Sequence, residues 1–122
     1  MEPIQTNYKG YRFRSRLEAR WAIFFDSLNI KYEYEKEGFS LDRFYLPDFF
    51  LPEVRKGVWI EVKPDIPNDK DNMPGYLIES LAKQTGYDAM IVKGEPMLAI
   101  NNPNEAPGVH DGSAYWMSFG NS

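Results

Sequence analysis

The chain has 122 residues and a formal net charge of −4, a length that supports one hydrophobic core and is too short for two, so residues 1–122 are read as a single domain. Apolar residues make up 43% of it, with eight Phe, eight Tyr and three Trp, a composition that excludes wholesale disorder. The absence of cysteine and the presence of only His110 exclude disulfides, thiolate zinc sites, cysteine nucleophiles and multi-histidine centres, so any metal must be held mainly by oxygen.

Residues 1–13 read as an extended lead-in with a turn at Lys9-Gly10. A helix fits 15–28, with Leu17, Trp21, Phe24 and Leu28 on one apolar stripe. Ser15 followed by Glu18 has the form of a capping box, and Asn29 is a reasonable stop. Residues 30–35 alternate Ile30, Tyr32 and Tyr34 with Lys31, Glu33 and Glu35, as a half-buried strand does. A second strand is predicted over 45–51, closed by Pro52, and Arg55-Lys56-Gly57 form a hairpin turn. In a third strand over 58–63, Val58, Ile60 and Val62 face one side, and Trp59, Glu61 and Lys63 face the other. On the second strand Asp48 shares a face with Leu46 and Phe50.

A polar loop over 64–74 leads to a second helix at 75–85 that stops near Gly86, then to a buried strand at 88–93. Beyond Gly94 a strand at 97–100, a loop at 101–112 containing His110, and an edge strand within 114–119 are expected. The order helix, strand, strand, strand, helix, strand predicts an α/β domain with a mixed central sheet flanked by helices. No apolar run reaches the roughly 18–20 residues that span a bilayer. No basic-then-apolar leader opens the chain, so a cytoplasmic location without membrane attachment is expected.

The chemistry concentrates at Pro47-Asp48 and, after twelve intervening residues, Glu61-Val62-Lys63, with Glu18 on the first helix. Two acids on successive strands with a lysine beside the second suit metal-dependent phosphodiester hydrolysis, in which carboxylates hold one or two hard cations such as Mg²⁺ or Mn²⁺. Asp48 and Glu61 would be direct ligands with the backbone carbonyl of Val62, and Glu18 would complete a second position. Lys63 would orient the attacking water or neutralise phosphate charge. Each residue has a plainer reading: Glu18 as half of the capping box, Asp48 as a turn acid, Glu61 and Lys63 as a solvated strand face. Their conjunction, with Trp59 on the same face, favours the metal site, because carboxylates on a covered face need a cation to offset desolvation. Arg14 and Arg16 flank the helix start, where phosphate binding or a solvated basic turn is equally sensible. Lys83 and Gln84 on the second helix are further candidates for contacting the phosphate.

Phe13-Arg14-Ser15-Arg16-Leu17-Glu18, Ile30-Lys31-Tyr32-Glu33-Tyr34-Glu35, Leu46-Pro47-Asp48-Phe49-Phe50-Leu51-Pro52 and Ile60-Glu61-Val62-Lys63 together resemble the PD-(D/E)XK nuclease superfamily. The likeness is greatest to the phage endonuclease I group of Holliday-junction resolvases; the cutting subunit of certain bacterial transposases is similar in core. It covers about residues 9–64. The resemblance implies a restriction-endonuclease-like αβββαβ core and Mg²⁺-dependent DNA cleavage by Glu18, Asp48, Glu61 and Lys63. It further implies pairing into a homodimer, with branched or nicked DNA as the substrate and the host cytoplasm as the location of a phage-encoded protein. The acidic balance and the lack of a strongly basic tail depart from that group. Two alternatives follow: a subunit of a transposition or repair assembly whose partner supplies DNA affinity, and a non-enzymatic protein that keeps the nuclease fold and binds a host factor.

Overall fold

A computed structural model describes residues 5–64, 75–96 and 116–119. The lead-in is a hairpin of β1 (Thr6–Tyr8) and β2 (Tyr11–Phe13), turned by Lys9 and Gly10 at φ 49° and 84°. Two successive positive φ values match the right-handed twist of paired strands. Helix α1 (Arg16–Ser27) begins at Ser15, whose extended backbone lets its Oγ accept the Glu18 N–H at 3.1 Å. It ends where Asn29 enters the left-handed region at φ 57°, with Ile30 N–H donating to the Phe25 carbonyl and Asn29 N–H to that of Asp26. The buried face is Ala19, Trp21, Ala22, Phe24 and Phe25. Leu28, expected within the buried stripe, is instead the exposed C-cap, where the chain turns off the helix.

Two predicted strands are shorter than the alternation suggests. Only β3 (Glu33–Tyr34) forms within 30–35, because Glu35 turns to φ 46°. The run over 45–51 breaks at Pro47, which has no N–H for a ladder. Before the break, β4 (Phe39–Ser40) and β5 (Phe44–Tyr45) make a small separate hairpin; after it, β6 (Phe49–Leu51) joins the main sheet. Arg55, Lys56 and Gly57, all at positive φ, turn the chain into β7 (Val58–Lys63), as the sequence predicts. The expected loop over 64–74, apart from Pro64, lies outside the described residues. Helix α2 (Gly75–Thr85), β8 (Asp88–Lys93) and the edge strand β9 (Trp116–Phe119) occupy the expected positions. The expected strand at 97–100, the loop over 101–112 and His110 lie outside the described residues.

The main sheet has the order β3-β6-β7-β8-β9, antiparallel except for the β7–β8 pair that α2 connects. The described residues therefore form a mixed α/β fold with two helices and a mixed sheet. On one face Trp21, Phe24 and Phe25 of α1 pack on Phe49, Leu51, Val58, Ile60, Val62 and Val92. On the other, Ile78, Leu81 and Ala82 of α2 meet Phe50, Trp59, Ala89 and Ile91. The period-two split of β7 between these faces is the one its sequence predicts. Among the described residues, no helix is long and apolar enough to cross a membrane.

Candidate functional site

The β6–β7 ladder closes at Phe49↔Ile60, and the next residues outward on the two strands are Asp48 and Glu61. By alternation both share the face of Phe50 and Trp59, and Trp59 is buried, so this face is covered as expected. Asp48 Oδ2 accepts the Val62 N–H at 2.7 Å, taking the place of a strand carbonyl. The Lys63 carbonyl accepts from Gly94 N–H at 2.9 Å, on the β8 side. The Val62 carbonyl therefore faces the β6 side, where Pro47 has no N–H to offer it. Thus Pro47-Asp48 ends the ladder and leaves a backbone carbonyl beside two carboxylates.

Glu61 is the charged residue that is buried among those described, at 9% exposure. Its Oε1 accepts from the Tyr45 hydroxyl at 2.7 Å. Burial, and then the charge of Glu61, push the ionisation of Tyr45 far up, so the phenol remains a donor. Glu18 reaches the same region from the first turn of α1. A complete capping box would place its carboxylate on the Ser15 N–H; here Oε2 accepts from Ser15 Oγ at 3.3 Å and Oε1 from the Tyr34 hydroxyl. Tyr34 in turn accepts the Arg14 N–H at 3.0 Å.

Glu35 belongs to the same cluster, although sequence reading left it on a strand face. Its N–H donates to the Asp48 carbonyl at 2.9 Å, and its carboxylate pairs with Arg14 Nε at 2.7 Å. Only the left-handed turn at Glu35, invisible to an alternating pattern, brings it there. Tyr34 and Tyr45 were likewise missed, because aromatic residues on a strand read as core.

The carboxylates share one electrostatic field. Burial, then the charges of Glu61 and Glu18, hold Asp48 well above the ordinary carboxylate range, and the Val62 N–H offsets this only in part. Glu18 is also raised, by burial first and against the Tyr34 hydrogen bond. Glu35 is raised by burial against the attraction of Arg14.

Lys63 ends β7, half-buried, in register with Lys93 and by alternation on the Glu61 face. Arg14 touches the cluster through Glu35 and Tyr34. Arg16 is exposed at the first position of α1. Lys83 and Gln84 are exposed, and Lys83 pairs with Glu79 at 3.3 Å. Because α2 runs back along β7, its last turn lies toward the Val58 end, where Thr85 Oγ1 accepts from Trp59 Nε1 at 3.0 Å. The structure does not gather Lys83 and Gln84 with the carboxylates.

Among the described residues, no three Asp, Glu or His side chains are gathered closely enough to hold a metal ion by themselves. Glu18 is engaged by Ser15 and Tyr34, which leaves Asp48, Glu61 and the Val62 carbonyl as the oxygen set. Two carboxylates and a carbonyl, completed by water, suit Mg²⁺, which keeps much of its hydration and seldom sits in an all-protein cage. A cation would also relieve Asp48, which burial and the charge of Glu61 hold raised. The donor set therefore fits a hard divalent ion.

Comparison with known protein families, characterised proteins and solved structures finds no match for this chain.

Tyr45→Phe removes a hydroxyl donor from Glu61 while keeping the buried ring. The substitution is expected to weaken Mn²⁺ binding by about 10- to 100-fold, the usual effect of losing a group that orients a ligand. Titration followed by Mn²⁺ electron paramagnetic resonance checks this; unchanged affinity would show that Tyr45 does not position Glu61.

Proposed function

We propose that this protein is a divalent-metal-dependent endonuclease that hydrolyses DNA phosphodiester bonds, on a restriction-endonuclease-like core of the PD-(D/E)XK type. The observation that carries the reading is the placement of Asp48 and Glu61 side by side past the end of the β6–β7 ladder. They sit on a covered face, next to a strand carbonyl that Pro47 cannot bond. A structural role alone gives no reason to bury Asp48 where the charges of Glu61 and Glu18 raise it further.

Asp48, Glu61 and the Val62 carbonyl would hold the ion, with Glu18 close enough to act on the same field. A bound Mg²⁺ or Mn²⁺ supplies charge neutralisation at the phosphate and lowers the pKa of its water. The chain's own groups do the positioning. The Val62 N–H fixes one oxygen of Asp48, and the Tyr45 hydroxyl fixes one oxygen of Glu61. The Lys63 ammonium, on the same face, orients the attacking water or meets charge developing on the phosphoryl oxygens. Trp59 and Tyr45 exclude bulk water from that side, which strengthens each of these interactions.

The net charge of −4 favours a second form of the same reading, in which a partner subunit or a second copy supplies DNA affinity. Both forms are tested by incubating supercoiled plasmid and a four-way junction with the protein in Mg²⁺, Mn²⁺ or EDTA. Metal-dependent cutting that disappears in Glu61→Gln is the expected result. Cutting that survives Glu61→Gln would remove this site from the chemistry, and no cutting by the folded wild-type protein would overturn the stand-alone nuclease, leaving the partner-dependent subunit and the non-enzymatic protein.

A further inference from the structure

Beside the carboxylates lies a cavity of about 340 Å³ lined by Arg14, Arg43, Phe44, Tyr45, Leu46 and Leu77, toward the lower end of the range for small-ligand sites. The β4–β5 hairpin decides what it presents. Tyr45 turns inward and holds Glu61, so its neighbour Phe44 turns outward. Phe44 is 69% exposed, the highest value among the large exposed hydrophobic residues described. Its ring lies against Gly38, where a Cβ would collide with it. An apolar ring held in one place with its surface in water is a poor choice for stability and a good platform for stacking. Arg43 and Arg14, the latter paired through its Nε with Glu35, line the same cavity, which thus presents cationic groups as well as the ring. Exposed Tyr76 is close by, its hydroxyl donating to Asp42 at 2.6 Å.

We infer that this cavity receives an unpaired nucleotide of the nucleic-acid substrate, with Phe44 stacking on the base and Arg14 and Arg43 meeting the adjoining phosphates. Aromatic stacking combined with flanking cations is how single strands are held without sequence preference. A base inside a duplex is stacked on both faces and paired along its edge, so the cavity selects DNA with an unpaired tail or flap. Tyr45 ties the cavity wall to Glu61, which places the captured nucleotide next to the carboxylates. The inference rests on the nuclease reading for its setting, but the binding it describes needs no cleavage.

Fluorescence anisotropy in Ca²⁺ with three labelled probes tests it: a flush duplex, the same duplex with a short unpaired tail, and the tail strand alone. The wild-type protein is expected to prefer the tailed duplex to the flush one. Phe44→Ala should weaken tailed binding by about 5- to 150-fold, the range that stacking of one base spans, and should erase the preference. Phe44→Trp should retain it, whereas Phe44→Leu, apolar but without a π face, should lose it; circular dichroism confirms that each variant is folded. Equal affinity for tailed and flush probes, or affinity unaffected by Phe44→Ala, overturns the inference. Plasmid cleavage is scored in parallel to separate the two readings. Cutting without tail preference overturns the cavity alone, whereas Phe44-dependent tail binding without cutting supports the cavity and counts against the nuclease.

Discussion

Asp48→Asn is expected to abolish metal-dependent cleavage while making the metal-free protein more stable at neutral pH. The loss should be at least about 10²- to 10³-fold, as for removal of a group that stabilises charge in the transition state. The gain follows from the raised state of Asp48, which burial and the charges of Glu61 and Glu18 disfavour as an anion. Asparagine keeps an oxygen for the Val62 N–H and removes the charge. A gain on the order of 0.5–2 kcal/mol is expected, as when a strained functional residue is relieved.

The pH dependence has a definite sign. Because the folded state holds the Asp48 proton more tightly than the unfolded chain, its contribution to stability is fully present below the ordinary carboxylate pKa of about 4. It is lost as the pH rises through the raised value. In EDTA, calorimetry should therefore show wild-type Tm falling more between pH 5 and 7.5 than that of Asp48→Asn. Mg²⁺ added at pH 7.5 should raise the wild-type Tm and leave the variant nearly unmoved. Parallel pH slopes for the two proteins would mean that Asp48 is not held against its charge.

Trp21→Ala should have the largest effect on stability. Trp21 is fully buried in the α1 face of the core, and its indole N–H donates to the Gly94 carbonyl at 2.9 Å. Gly94 N–H in turn holds the Lys63 carbonyl. Removing the ring costs about 3–5 kcal/mol, a large part of the roughly 5–15 kcal/mol that stabilises a typical domain. Urea unfolding should show the midpoint falling accordingly. Trp21→Phe, which keeps most of the packing and loses the N–H, should cost about 1–3 kcal/mol. It should also depress kcat more than it raises KM, because it loosens the strand end that carries Lys63. A loss below about 1 kcal/mol for Trp21→Ala would show that α1 does not lean on this contact.

The parts of the fold that were legible in the chain are those set by near neighbours. The Ser15 cap, the left-handed stop at Asn29, the turn at Arg55-Lys56-Gly57 and the bounds of α2 and β8 all follow from residue types within a few positions. The opposite faces of Trp59, Glu61 and Lys63 against Ile60 and Val62 follow from the strand period alone. Leu28 misled because helical periodicity carries no information about where a helix leaves the core. The 45–51 run misled because a strand-like composition hid the break that Pro47 imposes.

What the sequence by itself determined is the inventory: an all-oxygen set of candidate ligands, a lysine on the same strand face as Glu61, and a capped helix delivering Glu18. Only the tertiary structure decided that Asp48 and Glu61 are neighbours, through the β6–β7 register. It also turned Glu35 back onto the Asp48 carbonyl, gave Glu18 and Glu61 their tyrosine partners, and left Phe44 facing water beside two arginines. The physical reason is range. Helix caps, turns and strand period are local preferences, whereas the field that raises Asp48 arises from residues 13 and 30 positions away. Those residues meet only when both faces of the sheet bury their aromatic side chains.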